Sequence, residues 1–152
     1  MLHVSNEPGG LHTPLELRRG QRVRVLHPRR DVELVTRLEL ALDPWARLRG
    51  LLGHAPLGER EGLLLRPCTG VHTLFMRFTI DVAFLDPQGR VVHACPRLRP
   101  WRVSPIVGEA CCVLELCAGR LARSGTEPGD RLRFVVSFDP RPHAVYPLQK
   151  NT

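Results

Sequence analysis

Apolar residues recur at every second position in several stretches of this chain, a spacing that belongs to half-buried strands. The longest such stretch is Val71–Asp86, VHTLFMRFTIDVAFLD. Read as one strand, it puts Leu74, Met76, Phe78, Ile80, Val82 and Phe84 on one face; Thr73, Arg77, Thr79 and Asp81 share the other with Phe75 and Leu85. Val32–Leu42 predicts an earlier strand, because Val32, Leu34, Leu38 and Leu40 share parity. Gly62–Arg66 predicts a short apolar strand stopped by Pro67, and Thr69-Gly70 a turn into the central run. Pro87-Gln88-Gly89 divides Asp81–Leu85 from Arg90–Ala94, the signature of an antiparallel hairpin. Ala110–Cys117 follows, with Cys112, Leu114 and Leu116 on one side and Cys111, Val113, Glu115 and Cys117 on the other; Arg131–Phe138 closes the series.

One stretch changes period. In Asp43–Gly53, Asp43 can cap free helix amides, Pro44 suits the first helical position, and Gly50 or Gly53 can end the helix. Trp45, Leu48, Leu51 and Leu52 then form a stripe expected to pack on the sheet. Residues 1–30 read as a poorly ordered or edge-strand segment, with Gln21–Leu26 as the strand. Pro96–Pro105 reads as an extended surface loop, Ala118–Asp130 as a connection, and 139–152 as a proline-spaced tail. The expected fold is mainly β within an α+β class: a rolled antiparallel sheet or partly open β-barrel with one principal helix, forming a single domain over 31–138.

Composition narrows the class. A chain of 152 residues with 43% hydrophobic and 24% charged residues fits one globular domain. No apolar run approaches the ~20 residues that span a bilayer, so no membrane insertion is expected. The N-terminus lacks a basic segment followed by an apolar one, which points to a cytoplasmic protein. The net charge of +7 invites a nucleic-acid partner, but the arginines are spread along the chain, which favours a solvated basic surface.

Five cysteines without a secretory leader predict reduced thiols rather than a disulfide framework. Cys68 with His72, and His93 with Cys95, offer zinc-type ligands, yet their spacing matches no finger; neither metal nor cofactor is expected. The polar residues inside apolar runs carry more weight. Arg77 and Asp81 form a prospective ion pair that fixes strand register, and Glu115 is a second carboxylate set in an apolar strand.

Several blocks in order, Arg47-x-x-Gly50-Leu51-Leu52-Gly53, Gly62-Leu63-Leu64, His72-Thr73-x-x-Met76-Arg77-x-x-Ile80-Asp81, Val113-Leu114-Glu115-Leu116-x-Ala118-Gly119 and Gly129-Asp130, resemble the bacterial and archaeal family called domain of unknown function 192. The resemblance covers about residues 32–137 and implies a compact β-rich fold, a partly open barrel or rolled sheet with one helix, whose activity the family name leaves undefined. Thr79 and Cys117 stand where members usually carry proline.

Three functions compete. The first is a binding or accessory module, in which His72, Arg77, Asp81, Arg102 and Glu115 converge on a polar cleft for a small anionic ligand or a protein partner. The second is a hydrolase or transferase using His72 as base with Asp81 or Glu115 orienting it, although no nucleophile elbow, phosphate loop or zinc-protease motif is present. The third is an RNA-binding module with Trp101 as a stacking platform. The first is preferred.

Overall fold

The computed structural model describes residues 10–137; the tail expected over 139–152 lies outside them. Over the described residues the protein is mainly β, with two sheets, few helices and no closed barrel. The strands are β1 (Leu11–His12), β2 (Arg22–His27), β3 (Val32–Val35), β4 (Arg37–Ala41), β5 (Glu61–Leu65), β6 (Ile80–Leu85), β7 (Val91–Leu98), β8 (Cys112–Cys117) and β9 (Arg133–Ser137). The helices are α1 (Pro44–Arg49), which is the principal one expected, and a one-turn α2 (Arg120–Ser124) in the stretch expected to be a plain connection. One sheet has the order β1-β9-β2-β3, and the other β4-β5-β8-β6-β7. All pairs are antiparallel except β4 with β5.

Several local expectations need correction. Val32–Leu42 is not one strand: the chain breaks at Thr36, whose amide donates to the Arg60 carbonyl, so β3 belongs to one sheet and β4 to the other. Arg22–His27 lies between β9 and β3 rather than at an edge. The central run is strand only from Ile80 onward. Before it, Phe75 takes a left-handed conformation at φ 65°, and the 69–73 backbone pairs with the loop after β7 instead of a sheet neighbour.

The hairpin forms where the turn residues place it. The Asp86 carboxylate accepts the amides of Gln88 and Arg90 at 2.9 Å, and Gly89 sits at φ 84°. A Cβ there would lie 2.8 Å from the Leu132 carbonyl oxygen, so glycine answers both a conformational and a spatial demand. At α1, Asp43 accepts the Ala46 amide at 2.8 Å, Pro44 opens the helix, and the chain leaves it at Gly50.

The central strands of the five-stranded sheet, β5, β8 and β6, are buried on both faces, so they carry apolar residues at consecutive positions. Leu64, Ala83, Leu85, Cys112, Leu114 and Leu116 face the four-stranded sheet, where they meet Val23, Val25, Leu34 and Phe134. Leu63, Leu65, Ile80, Val82, Phe84 and Val113 form the opposite layer, under Leu51, Leu57, Val71 and Met76 from the segments after α1 and before β6. The expected stripe on α1 is only half realised: Leu51 is buried beyond the helix end, but Trp45 and Leu48 are exposed. A helix ending at Arg49 is too short to lay its whole stripe on the sheet.

Candidate functional site

Strand parity decides which polar residues can meet. In the β6–β8 pairing Asp81 stands opposite Leu116 and Val82 opposite Glu115. Paired residues share a face, so Asp81 points with Leu116 toward the four-stranded sheet while Glu115 points with Val82 the other way. The two carboxylates therefore lie on opposite sides of the sheet. The expected convergence of five polar residues on one cleft does not occur.

Asp81 is fully buried. Its Oδ1 accepts the backbone amides of Arg97 at 2.9 Å and Gly119 at 3.0 Å, and its Oδ2 accepts that of Leu121 at 2.8 Å. The Arg97 amide is turned toward it by a bulge: two steps on β6, Ile80 to Val82, face three on β7, Leu98 to Cys95, and Arg97 takes φ 51°. Gly119 and Leu121 present free amides at the start of α2. This carboxylate is a clasp between β6, β7 and α2. Among the described residues no cation pairs with it, and the expected ion pair with Arg77 is absent because Arg77 is exposed on the loop before β6. Arg102 is also exposed, its guanidinium donating to the Trp101 carbonyl at 3.3 Å.

Glu115 and His72 do share a cleft. It has a volume of about 310 Å³ and lies between α1 with its following turn, the chain after β5, the 70–76 loop and β8. Leu51, Leu65, Val71 and Met76 supply apolar wall; Arg47, Cys68, His72 and Glu115 supply polar groups. Glu115 is 3% exposed, and its Oε2 has no hydrogen-bond partner. Burial pushes its carboxyl up to about 8, so it is a neutral acid at neutral pH.

Arg47 gives Nη1 to the Pro67 carbonyl at 2.9 Å, while its buried Nε has no partner. The His72 ring accepts the Leu74 amide at 3.3 Å through Nδ1, which leaves Nε2 as its other polar atom. Cys68 donates to the Gly70 carbonyl at 3.1 Å. Burial pushes its thiol up, partly offset by that hydrogen bond; Glu115 raises it further and Arg47 lowers it. The cleft thus combines a buried neutral acid with an unpartnered oxygen, a guanidinium with an unpartnered nitrogen, an imidazole and a thiol.

Sequence reasoning passed over Arg47, which heads the first block of the family-like pattern, and set Cys68 aside as an ordinary buried thiol. Among the described residues no three histidine, cysteine or acidic side chains gather as a metal site. His93 and Cys95 come together as a pair, Nε2 to Sγ at 3.6 Å, with no third ligand among those residues.

Comparison with known proteins places this architecture. The model of domain of unknown function 192, described as an uncharacterized ACR, matches residues 26–134. The chain belongs to that family. The blocks that carry the resemblance fall partly on the cleft, at Arg47, His72 and Glu115, and partly on the clasp at Asp81 and Gly119. Among solved structures, a "putative transcription regulator" from Sinorhizobium meliloti is 26% identical, with a TM-score of 0.59, over 74% of this chain and 91% of that one. A protein of unknown function from Novosphingobium aromaticivorans is 23% identical, with a TM-score of 0.62, over 86% of this chain and 94% of its own, a likeness of fold alone. No curated protein matches.

Proposed function

We propose that this domain is a binding module for a small organic anion with an apolar body, held in the cleft beside Glu115. The observation that carries the reading is the Glu115 carboxyl, buried, neutral and with one oxygen left without a partner at the wall of an open cleft. A protein keeps such a group at a cost to its fold, and costs of that kind concentrate at sites. The neutral acid donates one hydrogen bond, and the Arg47 guanidinium supplies a second donor and a positive charge. The apolar wall receives the ligand body, and the volume is at the small end for ligand clefts.

Two catalytic pairings weighed from the sequence are treated differently by this geometry. His72 with Asp81 are on opposite faces of the sheet, so that pair is set aside. His72 with Glu115 share the cleft, but a carboxyl neutral at working pH orients an imidazole base poorly, which favours binding over acid–base chemistry. The cytoplasmic setting inferred from the sequence is retained as part of the proposal, in keeping with five free thiols.

The test is ligand-observed NMR with a series of monocarboxylates from acetate to octanoate. Saturation transfer is expected to strengthen with chain length, to weaken as pH rises past 8 and Glu115 ionises, and to disappear in Arg47→Gln. Transfer that is indifferent to pH and to Arg47, or stronger transfer to alkylamines, would defeat the reading.

A further inference from the structure

A second surface of the molecule is built with comparable care. Between residues 69 and 77, and between 99 and 107, two loops are laced into a ribbon. The Thr73 amide donates to the Arg102 carbonyl at 2.8 Å, and the Ser104 amide to the Val71 carbonyl at 2.8 Å. The Val107 amide reaches the Thr69 carbonyl, also at 2.8 Å. Thr73 is fully buried at the centre of this ribbon, its hydroxyl donating to the Arg99 carbonyl at 2.5 Å and accepting the Arg102 amide at 2.9 Å.

The ribbon does not hide its large apolar residues. Phe75, Trp101, Val103 and Ile106 are 70%, 56%, 67% and 76% exposed. Phe75 and Trp101 both adopt left-handed backbone, at φ 65° and 63°, a conformation that bulky residues avoid, and their rings pack together with centroids 4.6 Å apart. Thr73 thus holds in place a local arrangement that presents two aromatic rings to solvent.

The charges carried by the ribbon itself have one sign. Arg77, Arg99 and Arg102 are exposed and make no ion pair among the described residues. No acidic residue occurs between Glu61 and Asp81 or between Asp86 and Glu109.

We propose that this ribbon is a docking surface for an anionic phospholipid bilayer, with Phe75, Trp101, Val103 and Ile106 entering the headgroup region and Arg77, Arg99 and Arg102 meeting lipid phosphates. Charge complementarity selects an anionic partner. The aliphatic pair then distinguishes among anionic partners, because Val103 and Ile106 offer nothing to a phosphodiester or a base edge but gain by leaving water for acyl chains. The two rings are tilted at 57° to each other rather than offering parallel faces to an intercalating base, whereas aromatic side chains at headgroup depth are the common anchors of interfacial proteins. An apolar wedge joined to a basic cluster supplies the two signals that stable peripheral binding requires. This inference does not rest on the ligand reading of the cleft.

The test uses the full chain carrying Trp45→Phe, which leaves Trp101 as the single tryptophan. Flotation with vesicles of phosphatidylglycerol in phosphatidylcholine, and with phosphatidylcholine alone, is followed by tryptophan emission with brominated acyl chains. Co-flotation with the anionic vesicles only, reversed by salt and accompanied by a blue shift and bromine quenching of Trp101, is expected. The double variant Arg99→Gln, Arg102→Gln should lower partitioning about tenfold or more. Absence of flotation would overturn the proposal, as would flotation without quenching of Trp101. Quenching of Trp101 by a single-stranded oligonucleotide, with no response to vesicles, would overturn it in favour of nucleic acid. The quenching experiment leaves the ribbon unaltered, so it stands even if ribbon variants fold poorly.

Discussion

Replacing Asp81 by asparagine isolates the clasp between β6, β7 and α2. The carboxylate accepts three backbone amides, at 2.9, 3.0 and 2.8 Å, one from β7 and two from the start of α2. An asparagine in the same place keeps one acceptor oxygen, which can continue to serve Arg97 and Gly119. Its amide nitrogen then confronts the Leu121 amide, donor against donor. Hydrogen bonds to a charged group are worth about 1.5–3 kcal/mol, and a buried donor left unpaired costs about 1–3 kcal/mol, so a loss of about 3–5 kcal/mol is expected. For a domain of this size that is a fall of about 8–15 °C in Tm. Urea unfolding at neutral pH measures it, with an unchanged m-value as the sign that the folded state is otherwise intact. Asp81→Ala should cost at least as much. A change within about 0.5 kcal/mol, the range of ordinary surface substitutions, would refute the claim that this carboxylate organises the fold.

The contrasting carboxylate gives a pH-dependent prediction. Folded Glu115 keeps its proton up to about 8 while the unfolded chain releases it near 4.5, so its relative contribution is full below 4.5 and is lost as pH rises to 8. That interval corresponds to up to about 5 kcal/mol, and urea titrations should show Glu115→Gln gaining on the wild-type protein by several kcal/mol across it; parallel stability curves would contradict the assignment. Among the thiols, the Cys111 side chain is lowered by its hydrogen bond with Cys112, whereas burial raises Cys68 and Cys95. Iodoacetamide labelling of the native protein read by peptide mass spectrometry should therefore modify Cys111 first and the fully buried Cys112 last; early labelling of Cys68 would reverse that order.

Much of the fold was legible because it rests on local rules. The parity of Cys112, Leu114 and Leu116 against Val113 and Glu115 holds in β8, the Pro87–Gly89 turn makes its hairpin, and Asp43 with Pro44 starts α1. What escaped depends on distant partners. Val71–Thr79 carries the alternation of a strand, but its backbone pairs with 102–107 and Phe75 turns left-handed, which period-two counting does not register. The burial of Asp81 and Glu115 was legible from their apolar neighbours. Their partners were not: three amides from elsewhere satisfy Asp81, and Glu115 has no partner for Oε2. Whether two carboxylates share a face also depends on strand register, and the Val82–Glu115 pairing separates them. Arg47 joins His72 and Glu115 only because the turn after α1 folds back over the sheet, a tertiary fact that no spacing encodes.

Whether Glu115 is a neutral acid at the wall of the cleft is measured by a carbon-13 NMR titration of its side-chain carboxyl, assigned by difference from Glu115→Gln. The predicted result is a protonated carboxyl at neutral pH with a midpoint near 8. A midpoint near the ordinary value of 4.5, with the carboxylate ionised at neutral pH, would contradict it.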